Sequence, residues 1–282
     1  MKSAIADDVI LACVVPLIHP VACRNWGDIL ARLTETLRSI SACAERGQTM
    51  GIVVANVGSE LPTLPSGVIA EFIELPPPST SVFVGEVPED ERRNVKQLDK
   101  GTKVLTGCML ARDRGARYVM TVDADDLISS RLPGYIRQHC GGPGWYVDKG
   151  WVLPVGNRWA YLRDDFVRGC GTSLIIRTDL LDLPRRLEQR SSAQISRWFG
   201  SHKFIRDDLA SENHVLEPIP FAAAVYRTGH TENNTGKGAI RDLYFPDRLA
   251  LRSPLEFARR AARLRPFNQK LRQEFHAGKR PA

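Results

Sequence analysis

Continuous apolar runs of strand length, separated by stretches of helical periodicity, limit this chain to a narrow set of folds. Val9–Val15, Gly51–Val57 and Val68–Leu75 are such runs, and Tyr118–Val122 is a fourth. Runs this short and this uniformly apolar suit strands covered on both faces, as parallel sheets are. Between the first two, Ile29, Leu30, Leu33, Leu37 and Ile40 recur at helical spacing, with Arg32, Glu35 and Arg38 on the other side. Before the fourth, Lys103–Arg114 places Val104, Leu105, Cys108 and Ala111 on one helical face. Residues 79–97 are polar with no clear period and read as a loop over the sheet edge. The alternation predicts an α/β fold, Rossmann-like, with a mostly parallel sheet and helices on both faces.

The fourth run stops abruptly on carboxylates: Asp123-Ala124-Asp125-Asp126. That places them at the carboxyl end of a buried strand, where open α/β sheets take ligands. If strand geometry continues, Asp123 and Asp125 share a face and Asp126 points the other way. Carboxylates this close repel unless a cation or hydrogen bonds neutralise them, and a hard divalent metal carrying phosphate oxygens meets that need. The alternative is an acidic turn whose Asp caps the next helix.

Beyond residue 130 the pattern is mixed. Trp145–Val155, Cys170–Arg177 and Pro220–Tyr226 read as strands, Asp179–Arg190 as a polar helix, and Arg227–Lys237 as a polar loop. Ser253-Pro254-Leu255-Glu256 combines an N-cap, a proline at the first helical position and a capping-box Glu. The helix it starts is expected to reach Arg265, with Pro266 interrupting it. From these shifts we divide the chain into a domain over 1–247, with a donor half at about 8–130 and an acceptor half at about 131–247, and a basic helical tail over 248–282.

Charge supports that division. The chain carries a net charge of +7, yet from Arg248 onward ten Lys or Arg stand against two Glu. The body is therefore close to neutral, which argues against a nucleic-acid-binding surface. The tail sets Arg259, Arg260 and Arg263 beside Leu255, Phe257 and Leu264, a pattern suited to an anionic membrane surface. Six scattered cysteines lack any Cys-x-x-Cys spacing, against a zinc site and toward a reducing cytoplasm. No stretch approaches the ~20 apolar residues of a membrane span. Asn233-Asn234-Thr235 matches a glycosylation acceptor, read as chance.

Taken in order, these landmarks resemble the nucleotide-sugar-dependent glycosyltransferases of the GT-A fold, most like the inverting family 2. The residues that carry the likeness are the first strand ending in Pro16, and the helix with Leu33, Thr36, Leu37 and Ile40. Next come Lys100, Gly101, Lys103, Gly107 and Ala111 ahead of Gly115-Ala116-Arg117-Tyr118, and the Asp-x-Asp of Asp123 and Asp125 with Asp126 behind it. Gly169-Cys170-Gly171-Thr172-Ser173, Arg206-Asp207-Asp208-Leu209 and His230 complete the series over about residues 8–235.

The resemblance implies a metal-dependent, inverting transfer of a sugar from a nucleoside-diphosphate-sugar, a UDP-sugar first of all, to a carbohydrate or glycolipid hydroxyl. Such enzymes serve bacterial surface polysaccharide or glycolipid synthesis, and a place at the cytoplasmic face of the membrane follows. It implies Mn²⁺ or Mg²⁺ on Asp125 and His230 with Asp123 beside them, acting as Lewis acid and template. Donor contacts would come from Pro16, Asn56, Lys100, Lys103, Asp123, Ala124 and Gly171. Asp208, with Asp207 next to it, would take the acceptor's proton. Asn56 stands where the family commonly has an Asp reading the base, and Asp207 where it often has Glu. Two further readings stay open: a sugar-nucleotide nucleotidyltransferase, although Leu17-Ile18-His19-Pro20 is no Gly-rich phosphate loop, and a non-catalytic nucleotide-sugar binding protein.

Overall fold

The computed structural model describes residues 9–44, 48–76, 88–229, 240–246 and 249–278. Four parallel strands carry the first half: β1 (Leu11–Pro16), β2 (Thr49–Asn56), β3 (Val68–Ile73) and β4 (Tyr118–Thr121). They lie in the order β3-β2-β1-β4, with Leu11 level with Thr49 on one side and Tyr118 on the other. Sequence and structure agree on this sheet because each run is apolar on both faces: all of β1 is buried. Helix α1 (Trp26–Ala44) covers one face through Leu33, Leu37 and Ile40. Helix α2 (Glu89–Asp113) covers the other through Val104, Leu105, Cys108 and Ala111.

The sheet continues past β4 through antiparallel β9 (Leu174–Arg177), then β6 (Gly144–Tyr146) and β10 (Glu217–Pro218). A second sheet has the order β12-β8-β7-β11-β5, from β5 (Leu127–Ile128), β7 (Gly150–Pro154), β8 (Trp159–Arg163), β11 (Ala224–Thr228) and β12 (Leu264–Pro266). The expected mixed second half is thus present.

Several boundaries differ, each for a physical reason. Helix α2 begins at Glu89, inside the stretch read as a loop. Its first turns are polar all round and show no period, yet Glu89, Asp90 and Glu91 suit the positive end of the helix dipole. Trp145–Val155 is two strands in two sheets, because Val147 hydrogen-bonds to Ser173 at the end of one sheet before Gly150 opens the other. Asp179–Arg190 is not a helix but two short 3₁₀ turns, Thr178–Leu181 and Leu187–Gln189, with Pro184 between them. The helix proper, α4 (Ser192–Trp198), follows α3 (Leu132–His139) in chain order and is capped by Ser191 and Gln194. Next comes α5 (Ile205–Ser211).

The tail also departs from expectation. Beyond α6 (Ile240–Tyr244) and α7 (Leu249–Arg252), α8 spans Pro254–Ala261 and stops. Leu264–Pro266 is then a strand paired with β8, followed by α9 (Gln269–Glu274). Phe267 and Phe275 are fully buried against Leu127, Leu153 and Val225. A purely helical tail set apart from residue 247 is therefore corrected: the segment completes the second sheet's core. Ser253 makes no side-chain cap, and Glu256 binds Arg259 and Arg260 instead of closing a capping box.

Candidate functional site

The strand order locates the crevice. From β1 the chain moves outward through β2 and β3, then returns to lay β4 on the opposite side of β1. Connections on the two sides of such a switch point diverge, leaving a cleft beyond the carboxyl ends of the strands. Those ends are Pro16 of β1 and Val122, whose N–H donates to Val14 at 2.9 Å. The Asp-rich segment starts at the next residue.

The three carboxylates have three different environments. Asp126 turns inward on the N–H of its own residue, which donates to the Asp123 carbonyl at 3.0 Å, and its side chain is fully buried. It accepts from Thr172 Oγ1 at 2.6 Å, from Cys170 Sγ at 3.2 Å and from the Arg227 N–H at 3.3 Å. Burial, with Asp125 and Asp123 adding like charge, pushes its pKa well above the ordinary carboxylate range. Thr172 also accepts the Asp123 N–H at 2.9 Å, so one hydroxyl fixes both ends of the turn. The backbone of Asp125 accepts from Arg227 Nε. Arg227, itself buried, ion-pairs with Glu35 and donates to the Arg32 carbonyl at 2.9 Å, and Thr36 donates to the Ala124 carbonyl at 3.0 Å. Helix α1 and β11 thus clamp the acidic turn from two sides.

Asp123 faces a cation. Lys100 Nζ of α2 donates to its Oδ1 at 2.5 Å, with the two side chains 31% and 27% exposed. Burial opposes the charge on Lys100, but Asp123 more than compensates, and the ammonium titrates above its usual value. Gly171 packs over the pair: a Cβ there would lie 2.6 Å from Asp123 Oδ2 and 3.0 Å from Lys100 Nζ, so only glycine fits without moving them.

His202 stands next to this pair, on the loop between α4 and α5. The loop sits tight on α2 because Gly200 has no side chain; a Cβ would fall 2.1 Å from the Gln97 carbonyl oxygen. His202 bonds the Arg168 backbone while its Nε2 is buried with no hydrogen-bond partner, so Nδ1 makes that bond. Burial first, then the Lys100 charge, lowers its pKa to about 4, leaving a neutral imidazole at pH 7. Lys100 and His202 both line a cavity of about 50 Å³ whose floor includes Val104, Cys108, Leu174 and Ile176.

Of the residues singled out in the sequence, Lys100, Asp123 and Gly171 are brought together, and Pro16 and Ala124 flank the same crevice. Asn56 closes β2: its amide donates to the Leu75 carbonyl at 2.9 Å and its Oδ1 is buried without a partner. Lys103 is a correction. Its ammonium is fully buried and held by both oxygens of Asp99 at 3.0 and 2.8 Å, so it is a packing charge of α2 and not a donor contact. Asp208 is held by Arg197 in a fork, at 3.1 Å from Nε and 2.6 Å from Nη2. Asp207 is 75% exposed, with Arg206 at 3.5 Å. His230 lies outside the described residues, as does the Asn233 motif. Trp198 and Phe199 both line the cavity and pack in the same hydrophobic cluster, whereas Trp151 packs against the core of the second sheet. Thr172 lay within a motif already noted, but His202, Arg227 and Glu35 carried no signal of spacing or composition.

Of the three ligands expected for a divalent metal, Asp123 and Asp125 stand on the acidic turn, and His230 lies outside the described residues. Among the described residues no three His, Cys, Asp or Glu side chains converge as ligands. Asp126 is buried and Asp123 already has an ammonium at 2.5 Å. Lys100 balances Asp123, and hydrogen bonds satisfy Asp126.

No protein-family model matches the chain, and no curated sequence matches it closely enough to count as a relative. Among solved structures, S. aureus TarS (residues 1–349) is similar at 15% identity and a TM-score of 0.39, over 77% of this chain and 60% of that one. The galactosyltransferase LgtC, in complex with donor and acceptor sugar analogs, is similar at 12% identity and a TM-score of 0.39, over 93% of this chain and 99% of that one. Likeness of this degree leaves the functional reading to this chain's own residues.

Proposed function

We propose that this chain is a glycosyltransferase of GT-A type that binds a nucleoside-diphosphate-sugar at the β1/β4 crevice and transfers the sugar, with inversion, to a hydroxyl acceptor. The observation that carries the reading is the Lys100–Asp123 pair at the mouth of that crevice, pressed by Gly171 and backed by buried Asp126. The pair offers one donor and one acceptor to a polar ligand, and the Thr172 hydroxyl holds it in place before any ligand arrives. In this reading Asp123 takes a ribose hydroxyl and Lys100 a diphosphate oxygen.

For the acceptor's proton we propose Asp208. It lies one helical turn after Ile205, which lines the same cavity as Lys100, so the two share the inward side of α5. Arg197 aims the carboxylate through two charge-assisted hydrogen bonds. The nucleotidyltransferase reading has no support at β1, because Leu17-Ile18-His19-Pro20 offers no phosphate-cradling glycines. The test is a screen of nucleotide-sugars for hydrolysis and for transfer to simple glycosides, with and without Mn²⁺. Turnover of any donor supports an enzyme, whereas saturable binding without turnover supports the non-catalytic alternative.

A lipid-linked or surface-polysaccharide acceptor and a peripheral place at a membrane belong to the same proposal. Their support is now narrower. Arg260 binds Glu256 and the Tyr244 carbonyl, and Arg263 binds Asp164, so two of the three arginines expected at the lipid are engaged by the protein. What projects instead are Leu251 and Leu255, 83% and 87% exposed, close in sequence to Arg252 and Arg259. No helix among the described residues is long and apolar enough to cross a membrane.

A further inference from the structure

Arg227 of β11 is a buried charge set where helix α1 meets the acidic turn. Its side chain is 8% exposed, and a guanidinium does not shed its proton to escape burial. It therefore depends on its partners. Nε donates to the Asp125 carbonyl, Nη1 pairs with Glu35, and Nη2 donates to the Arg32 carbonyl at 2.9 Å. Its backbone N–H reaches Asp126 Oδ1 at 3.3 Å. The guanidinium is planar, so the directions of its Nε and Nη1 donors are fixed relative to one another. A shift of the Glu35 carboxylate is thereby passed to the Asp125 peptide.

Glu35 is bounded on its other oxygen by a residue far along the chain. Gly278 lies against Oε1, where an added Cβ would stand 2.9 Å away. The Gly278 carbonyl accepts from Arg272 Nη1 at 3.0 Å, and the Arg272 guanidinium lies over the Phe267 ring. Glu274 accepts from Ser129 Oγ at 2.6 Å, its carbonyl accepts from the Ser130 N–H at 3.0 Å, and Phe275 is fully buried. The segment Phe267–Gly278 is thus seated on the second sheet and reaches α1 at Glu35.

Resting on the reading that the acidic turn takes a nucleoside diphosphate, we propose that Arg227 and Glu35 are a positioning pair through which the segment Phe267–Gly278 holds that turn in its ligand-binding shape. The pair acts through the Asp125 and Asp126 backbone and side-chain bonds and does not itself touch the ligand. A misplacement of about 1 Å at a reacting site costs about 10²-fold in rate, so breaking the pair should lower turnover by about that factor and weaken binding with it.

The test is calorimetric titration of UDP, GDP and dTDP, with and without Mn²⁺, and hydrolysis of the matching nucleotide-sugars, for wild type and variants. Glu35→Gln keeps the size and removes the charge. Arg227→Lys keeps the charge but cannot span Glu35 and the Asp125 carbonyl together. Gly278→Val crowds Glu35 from the far side, distant from the crevice. Each should weaken binding of the nucleotide that wild type prefers and lower turnover. Glu35→Gln combined with Arg227→Met removes the uncompensated buried charge, so its thermal melt should recover relative to Glu35→Gln alone. Its affinity and turnover should not recover. Affinity that returns with the melting point in this double variant means that the pair supports the fold alone and overturns the inference. Unchanged affinity and turnover in folded Glu35→Gln and Arg227→Lys overturn it as well, and leave the glycosyltransferase reading standing. Loss in Glu35→Gln with none in Gly278→Val overturns the part given to the segment and supports the pair. Failure of wild type to bind any of the three nucleotides overturns the inference and the reading beneath it together.

Discussion

Thr172→Val changes one side chain of nearly constant shape and tests whether a single hydroxyl holds the acidic turn. In the native protein Thr172 Oγ1, fully buried, accepts from the Asp123 N–H at 2.9 Å and donates to Asp126 Oδ2 at 2.6 Å. Valine can do neither. An orphaned, partly buried N–H costs about 1–3 kcal/mol, and loss of a hydrogen bond to a buried carboxyl costs about 1.5–3 kcal/mol. The sum is about 2.5–6 kcal/mol, a large part of the ~5–15 kcal/mol that keeps a domain folded. At about 2–4 °C per kcal/mol for a domain of this size, the midpoint should fall by about 10 °C. Urea unfolding followed by tryptophan fluorescence gives the free energy, and an unchanged m-value shows that the native fold persists. Thr172→Ser keeps the hydroxyl and should stay within ~1 kcal/mol of wild type. If Thr172→Val also stays within ~1 kcal/mol, the hydroxyl does not hold the turn. If Thr172→Ser is as damaging as Thr172→Val, the missing methyl and not the hydrogen bonding is at issue.

Asp208→Asn preserves shape and removes the proposed proton acceptor, so turnover should fall about 10²–10⁴-fold with donor affinity nearly unchanged; a larger fall in Asp207→Asn moves the base by one residue. His202 has a folded pKa of about 4 against 6.5 for an ordinary histidine, so the folded state binds fewer protons between those values. Its contribution to stability is present above pH 6.5 and is lost as pH falls through 4, by about 3 kcal/mol in all. Unfolding of His202→Phe should lack that acid-side loss between pH 6.5 and 4, and an identical pH profile would mean the imidazole is not held neutral. Leu251→Ser with Leu255→Ser should abolish flotation with anionic liposomes if this exposed pair anchors the protein, whereas flotation unchanged by the double substitution assigns the contact elsewhere.

How much of this was legible in the sequence follows from which residues act locally. The strands β1 to β4 and helix α1 were readable because apolar runs and a 3.6-residue period are local patterns with one burial solution. The first turns of α2 were not, since Glu89–Lys96 stands at the helix's exposed start and carries no apolar stripe. Asp123, Lys100 and Gly171 were each singled out, yet their convergence depends on α2 and the segment before β9 meeting over β4, which no spacing encodes. Lys103, one turn from Lys100, looked equivalent and is not: α2 turns it inward, where Asp99 meets it. The basic tail misled in the same way. Its charge count suggested a solvated helix, but Phe267 and Phe275 anchor it in the second sheet.

The groups that sequence reading missed explain why the acidic turn can exist at all. Three carboxylates within four residues would repel if all were ionised and exposed. Burial raises the pKa of Asp126 and so favours its protonated form, which draws one charge out of the cluster. Lys100 balances Asp123, and Arg227 fixes the Asp125 backbone while its own charge is met by Glu35 of α1. Each compensation comes from a different element: α2, β11 and α1. A turn stabilised this way is organised before a ligand arrives, because loosening it would leave an arginine, a lysine or a carboxyl buried without its partner. Binding then needs little rearrangement of Asp123, and the partly exposed Lys100–Asp123 pair is the part of the network left open to a ligand.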